Sequence, residues 1–245
     1  MNKRFSLYLL IIPILFTVFA VTGHEYFYQV VDSLRSSIVA VLNHKFFFRA
    51  GVSLSCAVIV WQTAGQAIRQ TKWWVIAGLI VSVFGDWFMV HRGNDSTLFI
   101  CAISLFFAAH ACFCIFCLVN GRIHKWFLLV LLLGYLPFFF MVLCPGIPQP
   151  ALLAAVLAYL LMSCVSLSAA AGLRLPTIVK GAYMTGIALF VFSDTIIALA
   201  VFAKYRDWGF LILPTYFASH VVLALALTLM GSFFDKTCSK TVIPA

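Results

Sequence analysis

The sequence predicts an all-α fold: a polytopic membrane helix bundle of about eight transmembrane helices, both termini cytoplasmic, with residues 1–245 as a single integral-membrane domain. Three observations predict it. Hydrophobic residues make up 64% of the chain and charged residues only 9%, whereas soluble proteins carry about 25% charged residues. The apolar residues fall in runs close to the ~20 residues that a bilayer requires. The 16 basic residues are spread over short connections between those runs. They therefore set topology, and a net charge of +9 without a basic patch argues against nucleic acid as a partner.

Asn2-Lys3-Arg4 ahead of apolar Phe5 to Val21 has the charge pattern of a signal peptide. The apolar run is longer than an h-region and no small-x-small cleavage site follows, so it is read as helix 1. Thr22 to Lys45 is mixed, with Glu25, Asp32, Arg35 and His44, and forms a connection. Helix 2, Phe46 to Trp61, is the weakest span, because Arg49 interrupts it near one end. A side chain that long can snorkel to the interface. Six clearer spans follow: Trp73 to Val90, Leu98 to Val119, Trp126 to Leu143, Ala151 to Ala171, Gly181 to Ala203 and Phe210 to Phe233. With eight spans, ten basic residues lie on the side of Lys3 and Arg4 and six on the other, which places both termini in the cytoplasm. Such a bias suits a bacterial inner membrane, and equally the endoplasmic reticulum membrane of a eukaryote. Most of the eight cysteines lie inside apolar runs, where Cys behaves as a small hydrophobe. Cys112, Cys114 and Cys117 do not share a helix face, so no metal site and no cofactor is expected.

Two acidic residues fall inside apolar runs, Asp86 and Asp194. A carboxylate costs several kcal/mol or more at that depth, so it must face a protein interior or a wet cavity, and it marks function by default. Asp86 is the fourteenth residue counted from Trp73, and Asp194 the fourteenth from Gly181. Both helices run the same way, so at ~1.5 Å rise per residue the two carboxylates lie at nearly equal depth and can meet. Helices 4 and 8 bring His110 and His220 nearer the midplane, with Tyr216 one turn before His220 on the same face. Tyr159, Ser163 and Ser166 form a stripe on helix 6, and Ser193 adjoins Asp194. For Ser163, Ser166 and Thr215 a purely structural role is favoured, since hydroxyls in membrane helices usually bond to the preceding turn. Gly85, Gly186 and Ala182 are read as close helix contacts, and His91 and His124 as interface residues with no specific task. Helix 5 carries only Tyr135 and the kinking Pro137, and is read as packing.

Two carboxylates in a partly dry cavity repel when both are ionised, so one proton is expected to be held between them near neutral pH. An acid beside an ionised carboxylate suits a bond broken through an oxocarbenium ion. No Gly-x-Ser-x-Gly elbow, His-Glu-x-x-His or P-loop is present. Two other uses of the same residues stay open: His110, His220 and an Asp as metal ligands of a lipid hydrolase, or a proton-coupled carrier.

Five short stretches, in order over residues 70–232, carry a family resemblance: Phe84-Gly-Asp-Trp-Phe-Met89, Leu105-Phe-Phe-Ala-Ala-His110, Ala158-Tyr-Leu-Leu-Met162, Gly186 to Ala198, and Pro214-Thr-Tyr-Phe-Ala-Ser-His220. In these the chain resembles the YhhN family of membrane proteins, the lysoplasmalogenases. His220 stands where that family usually has Gln, and the family's basic-Pro pair near the start of helix 2 is not recognisable around Lys45. The resemblance implies an eight-helix hydrolase that cleaves the vinyl ether of lysoplasmalogens to a fatty aldehyde and glycerophosphoethanolamine or glycerophosphocholine. Its partners would be the lysophospholipid substrate and membrane lipids. Asp86 and Asp194 would then be catalytic, with His110, Tyr159, Ser193, Tyr216 and His220 binding substrate or positioning water.

Overall fold

The computed structural model describes residues 10–22, 44–63 and 71–241, and among them every regular element is helical. The helices are α1 (Ile11–Thr22), α2 (His44–Thr63), α3 (Lys72–His91), α4 (Ser96–Val119), α5 (Lys125–Phe138), α6 (Pro150–Ala171), α7 (Thr177–Phe202) and α8 (Ile212–Thr241). Among the described residues six stretches are long and apolar enough to cross a membrane: α3, α4, α6 and α7, α5 with its continuation to Gly146, and Gly209–Phe233. The chain is an integral membrane protein. The first five residues of predicted helix 1, Phe5 to Leu9, and most of the connection after it lie outside the described residues.

Local chemistry explains the boundaries. Asp95 ends the α3–α4 turn and caps α4 by accepting from the amides of Thr97 (2.7 Å) and Leu98 (3.4 Å). His124, expected to do nothing specific, caps α5 by accepting from the amide of Phe127 at 3.2 Å. Pro150 starts α6 at a position where the missing N–H costs nothing. Two predicted boundaries were short: α7 starts at Thr177 rather than Gly181, and α8 runs on to Thr241 past Phe233. In both cases the extra turns contain lysine, Lys180 in α7 and Lys236 and Lys240 in α8, which interrupts the apolar run but not the helix.

Helix α5 departs most from regularity. Pro137 has no N–H and its ring crowds the carbonyl one turn back. The chain answers with a π-helical turn at Phe139–Leu143 and a 3₁₀ turn at Cys144–Gly146. No residue of Lys125–Phe138 is buried, so α5 lies on the outside of the bundle, against α6.

The closest packing pairs α3 with α4 and α7 with α8, while α4 rests on α6 and α2 on both α3 and α8. Small residues let these helices approach. A Cβ on Gly85 would meet the Phe106 ring at 2.9 Å, and one on Gly186 would meet Leu223 at 2.8 Å, so both glycines serve close contact as expected. Aromatic side chains fill the middle. Phe190 of α7 is fully buried and has the rings of Tyr216 and Phe106 at 5.3 and 6.1 Å. At one end of the bundle the α4–α5 and α6–α7 turns are stitched together: Arg122 donates to the Gly172 carbonyl, Arg174 to that of Asn120 and His124 to that of Ser168. Gly172 is required there, because a Cβ would stand 1.6 Å from the Arg122 carbonyl oxygen.

Gly172→Ala must therefore push the two turns apart, with an expected loss of about 2–3 kcal/mol. Gly134→Ala, with no atom within 4 Å of the new Cβ, should leave stability unchanged or slightly raised. Thermal unfolding of the purified protein in detergent compares the two, and equal melting temperatures would refute the close approach.

Candidate functional site

Five helices bring the polar side chains named from sequence to one level of the core: α3 supplies Asp86, α4 His110, α6 Tyr159, α7 Asp194, and α8 Tyr216 and His220. Asp86 is 2% exposed, and His110 and His220 are 0% exposed. The Asp194 side chain keeps 14%. That small difference distinguishes the two carboxylates.

Each acid has its own tyrosine. The Tyr216 hydroxyl donates to Asp86 Oδ2 at 2.9 Å, so α8 reaches across to α3. The Tyr159 hydroxyl donates to Asp194 Oδ2, so α6 reaches α7. Hydrogen bonds of this kind offset part of the cost of a buried carboxyl group. A proton held between the two acids requires a hydrogen bond that joins them. Asp86 lies within electrostatic reach of Asp194, but among the described residues no hydrogen bond joins them. Equal depth on two helices leaves the facing direction open, and the aromatic core decides it.

His110 belongs to the Asp194 side. Its Nε2 is 3.6 Å from Asp194 Oδ2, an ion-pair distance too long for a hydrogen bond, and its ring stacks on Phe190 at 4.6 Å. His220 belongs to the Asp86 side, edge-on to Tyr216 at 4.5 Å. Neither nitrogen of either imidazole has a hydrogen-bond partner among the described residues. Four orphaned buried nitrogens around Phe190 are places where water would be held. Among the described residues no three His, Cys, Asp or Glu side chains gather as metal ligands would.

Two apolar cavities of about 50 Å³ each meet at Asp194, sharing Val156, Tyr159 and Ala198 as walls. One extends to Tyr135 and Thr195. The other extends to Met89, Phe99 and Phe202. Asp194 lines both of these cavities and Asp86 lines neither. That space admits water but not a lipid chain, which must spread the helices to enter.

The remaining predicted positions divide. Ser193 is buried and donates to the Ile212 carbonyl at 2.9 Å, tying α7 to α8 without reaching either acid. Ser163 and Thr215 bond to carbonyls of the preceding turn, the structural role favoured for them. Two participants were missed. Arg49 of α2, read as a snorkelling interruption, lies within electrostatic reach of Asp86 and Tyr216. A lone cation in an apolar run was the signal, and it has the same meaning as a lone carboxylate. Tyr135, assigned to packing, lies 3.2 Å from Thr195 Oγ1. Nothing in the sequence ties it to a residue 60 positions away.

No curated protein and no solved structure is a significant match to the chain. The YhhN family model matches residues 44–227, a stretch that holds Arg49, both acids, both tyrosines and both histidines, and the chain belongs to the YhhN family.

Proposed function

We propose that this protein is a membrane hydrolase that cleaves the vinyl ether bond of lysoplasmalogens, releasing a fatty aldehyde and glycerophosphoethanolamine or glycerophosphocholine. The observation that supports it is the unequal placement of the two acids. Asp194 faces apolar space with a tyrosine and a histidine on it, while Asp86 is enclosed within electrostatic reach of both Asp194 and Arg49.

In this reading Asp194 is the proton donor. The Tyr159 bond occupies Oδ2 and leaves Oδ1 to carry the proton. Transfer to the β-carbon of the vinyl ether turns the double bond into an oxocarbenium ion and leaves Asp194 as a carboxylate. Water then adds to the α-carbon and returns one proton to that carboxylate, giving a hemiacetal. The hemiacetal collapses as its hydroxyl proton leaves, the carbonyl forms, and the bond to the glycerol oxygen breaks with a proton delivered to that oxygen. Asp86, as the ionised partner, stabilises the cation through a dry medium in which Coulomb interactions act strongly. His110 and His220 hold the water on their free nitrogens, and the alkenyl chain lies against the apolar walls. Arg49 and Tyr216 hold Asp86 in place as its counter-charge and its hydrogen-bond donor.

Incubation of purified protein with a lysoplasmalogen and with its ester-linked counterpart, measuring aldehyde and free fatty acid, tests the activity. Aldehyde from the vinyl ether alone is expected, and fatty acid from the ester would turn the reading toward a general lysophospholipase. Asp194→Asn should lower kcat by about 10³-fold or more, and Asp86→Asn and Tyr159→Phe by smaller factors of about 10–10². Equal rates for wild type and Asp194→Asn would sink the mechanism.

Arg49→Gln should reduce kcat by about tenfold with little change in KM, whereas Arg49→Lys, which keeps the charge, should recover most of it. A rate that ignores the charge at this position would show that Arg49 only anchors the helix.

A further inference from the structure

Resting on the reading just given, we infer that the polar vestibule between the α3–α4 turn and the α7–α8 loop is a phosphate-binding subsite that holds the lysolipid headgroup. The vestibule has a volume of about 880 Å³ and presents Arg92, Lys204 and Arg206. Asp95 is the carboxylate in its lining, and its Oδ1 accepts from the amides that start α4. The lining is thus cationic on balance. Asp207 follows Arg206 in the same loop but does not line the space.

Position matches the lipid's chemistry. Phe99 lines both the vestibule and the apolar cavity that reaches Asp194, and it packs against Phe202 with ring centroids 6.0 Å apart. This aromatic pair is the partition between a charged space and an apolar one. A lysolipid has the same order along its length: phosphate, short glycerol unit, ether, hydrocarbon. Arg92 follows Asp86 by six residues, about 9 Å along the helix axis, and its half-buried guanidinium lies 4.2 Å from the Phe99 ring centroid. There it can grip a phosphate bidentately while the glycerol passes the partition.

The backbone of the loop supports the assignment. Lys204 has φ 58°, a left-handed conformation that glycine adopts at little cost just past a helix end. A lysine there keeps a strained backbone and puts an ammonium group on the vestibule wall. Strain of this kind tends to be retained where a side chain has a task.

The test pairs two substrates in uncharged detergent micelles: a lysoplasmalogen and the corresponding 1-alkenylglycerol, which lacks the phosphate. Arg92→Gln and Lys204→Gly should each raise KM for the lysoplasmalogen by about tenfold, leave kcat within about twofold, and leave the alkenylglycerol unchanged. Lys204→Gly relieves the backbone, so its melting temperature should hold or rise, and a loss of affinity then cannot come from misfolding. Lys125→Gln, at the other end of the bundle, should change neither substrate. Unaltered KM, or an equal rise for both substrates, would overturn the subsite. Should wild type release no aldehyde from either compound, the hydrolase reading fails and the subsite is judged by binding alone. Calorimetry should then show lysophosphatidylcholine bound more tightly than monoacylglycerol, with the difference lost in Arg92→Gln. No difference would overturn it. Competition by inorganic phosphate as effective as that by the lysolipid would assign the vestibule to free phosphate and overturn the lipid assignment.

Discussion

A carboxyl group at the depth of lipid tails must be surrounded by protein that replaces its water, and the two such groups in this chain organise the helices around them. Asp86 draws α8 to α3 through Tyr216, and Asp194 draws α6 to α7 through Tyr159. Neither pair joins neighbouring helices of the strongest packing contacts, α3 with α4 and α7 with α8. The acids thus cross-link pairs that apolar packing has already formed. Removing a tyrosine would strand a buried acceptor, which costs more than the bond itself contributes.

Phe190 is the second constraint. With His110 stacked on it and Tyr216 and His220 packed around it, it holds the two acid-bearing clusters near each other while keeping their hydrogen bonds separate. A dyad sharing one proton requires oxygens in contact. Here the acids influence each other by charge only, which leaves one of them free to face a ligand while the other stays enclosed. The proposed chemistry uses that asymmetry: the donor touches substrate, and the stabiliser acts at a distance through apolar material, where a charge is poorly screened.

Much of this was legible in the sequence, and particular residues show why. Six long spans follow from hydropathy, because lipid leaves a helix no alternative for its backbone polar groups. Asp86, Asp194, His110, Tyr159 and Tyr216 could be named because polar atoms are rare and costly in such runs. Their pairing could not, since Tyr216 and Asp86 are 130 positions apart and helical periodicity fixes a face only within one helix. Ser193 shows the converse: it adjoins Asp194 in sequence, but one step along a helix turns the side chain by about 100°, here toward Ile212. Arg49 was passed over because its length offered an interfacial explanation, and only the approach of α2 to α3 and α8 gives it Asp86 as a counterpart.

The small volume of the cavities has a physical consequence for the proposed reaction, which needs room for a lipid chain. About 50 Å³ on either side of Asp194 leaves no room for an alkenyl tail, so occupancy must displace side chains or a helix. Helix α5 forms one wall of that space. It buries none of its residues between Lys125 and Phe138, and Pro137 with the π-turn after it already interrupts its hydrogen-bond ladder. Tyr135, Phe138 and Leu143 from this same segment wall the cavity, and Tyr135 meets Thr195 of α7 in the one hydroxyl contact it makes there. Before Pro137 this segment is unburied and meets α7 through a single polar pair, while Phe139 and Leu143 after it are buried and anchor its far end. The irregularity of α5 and the hydrogen-bonded Asp–Tyr pairs are thus complementary: the acids are tied in place, and the wall beside them is the part of the bundle with a broken backbone ladder.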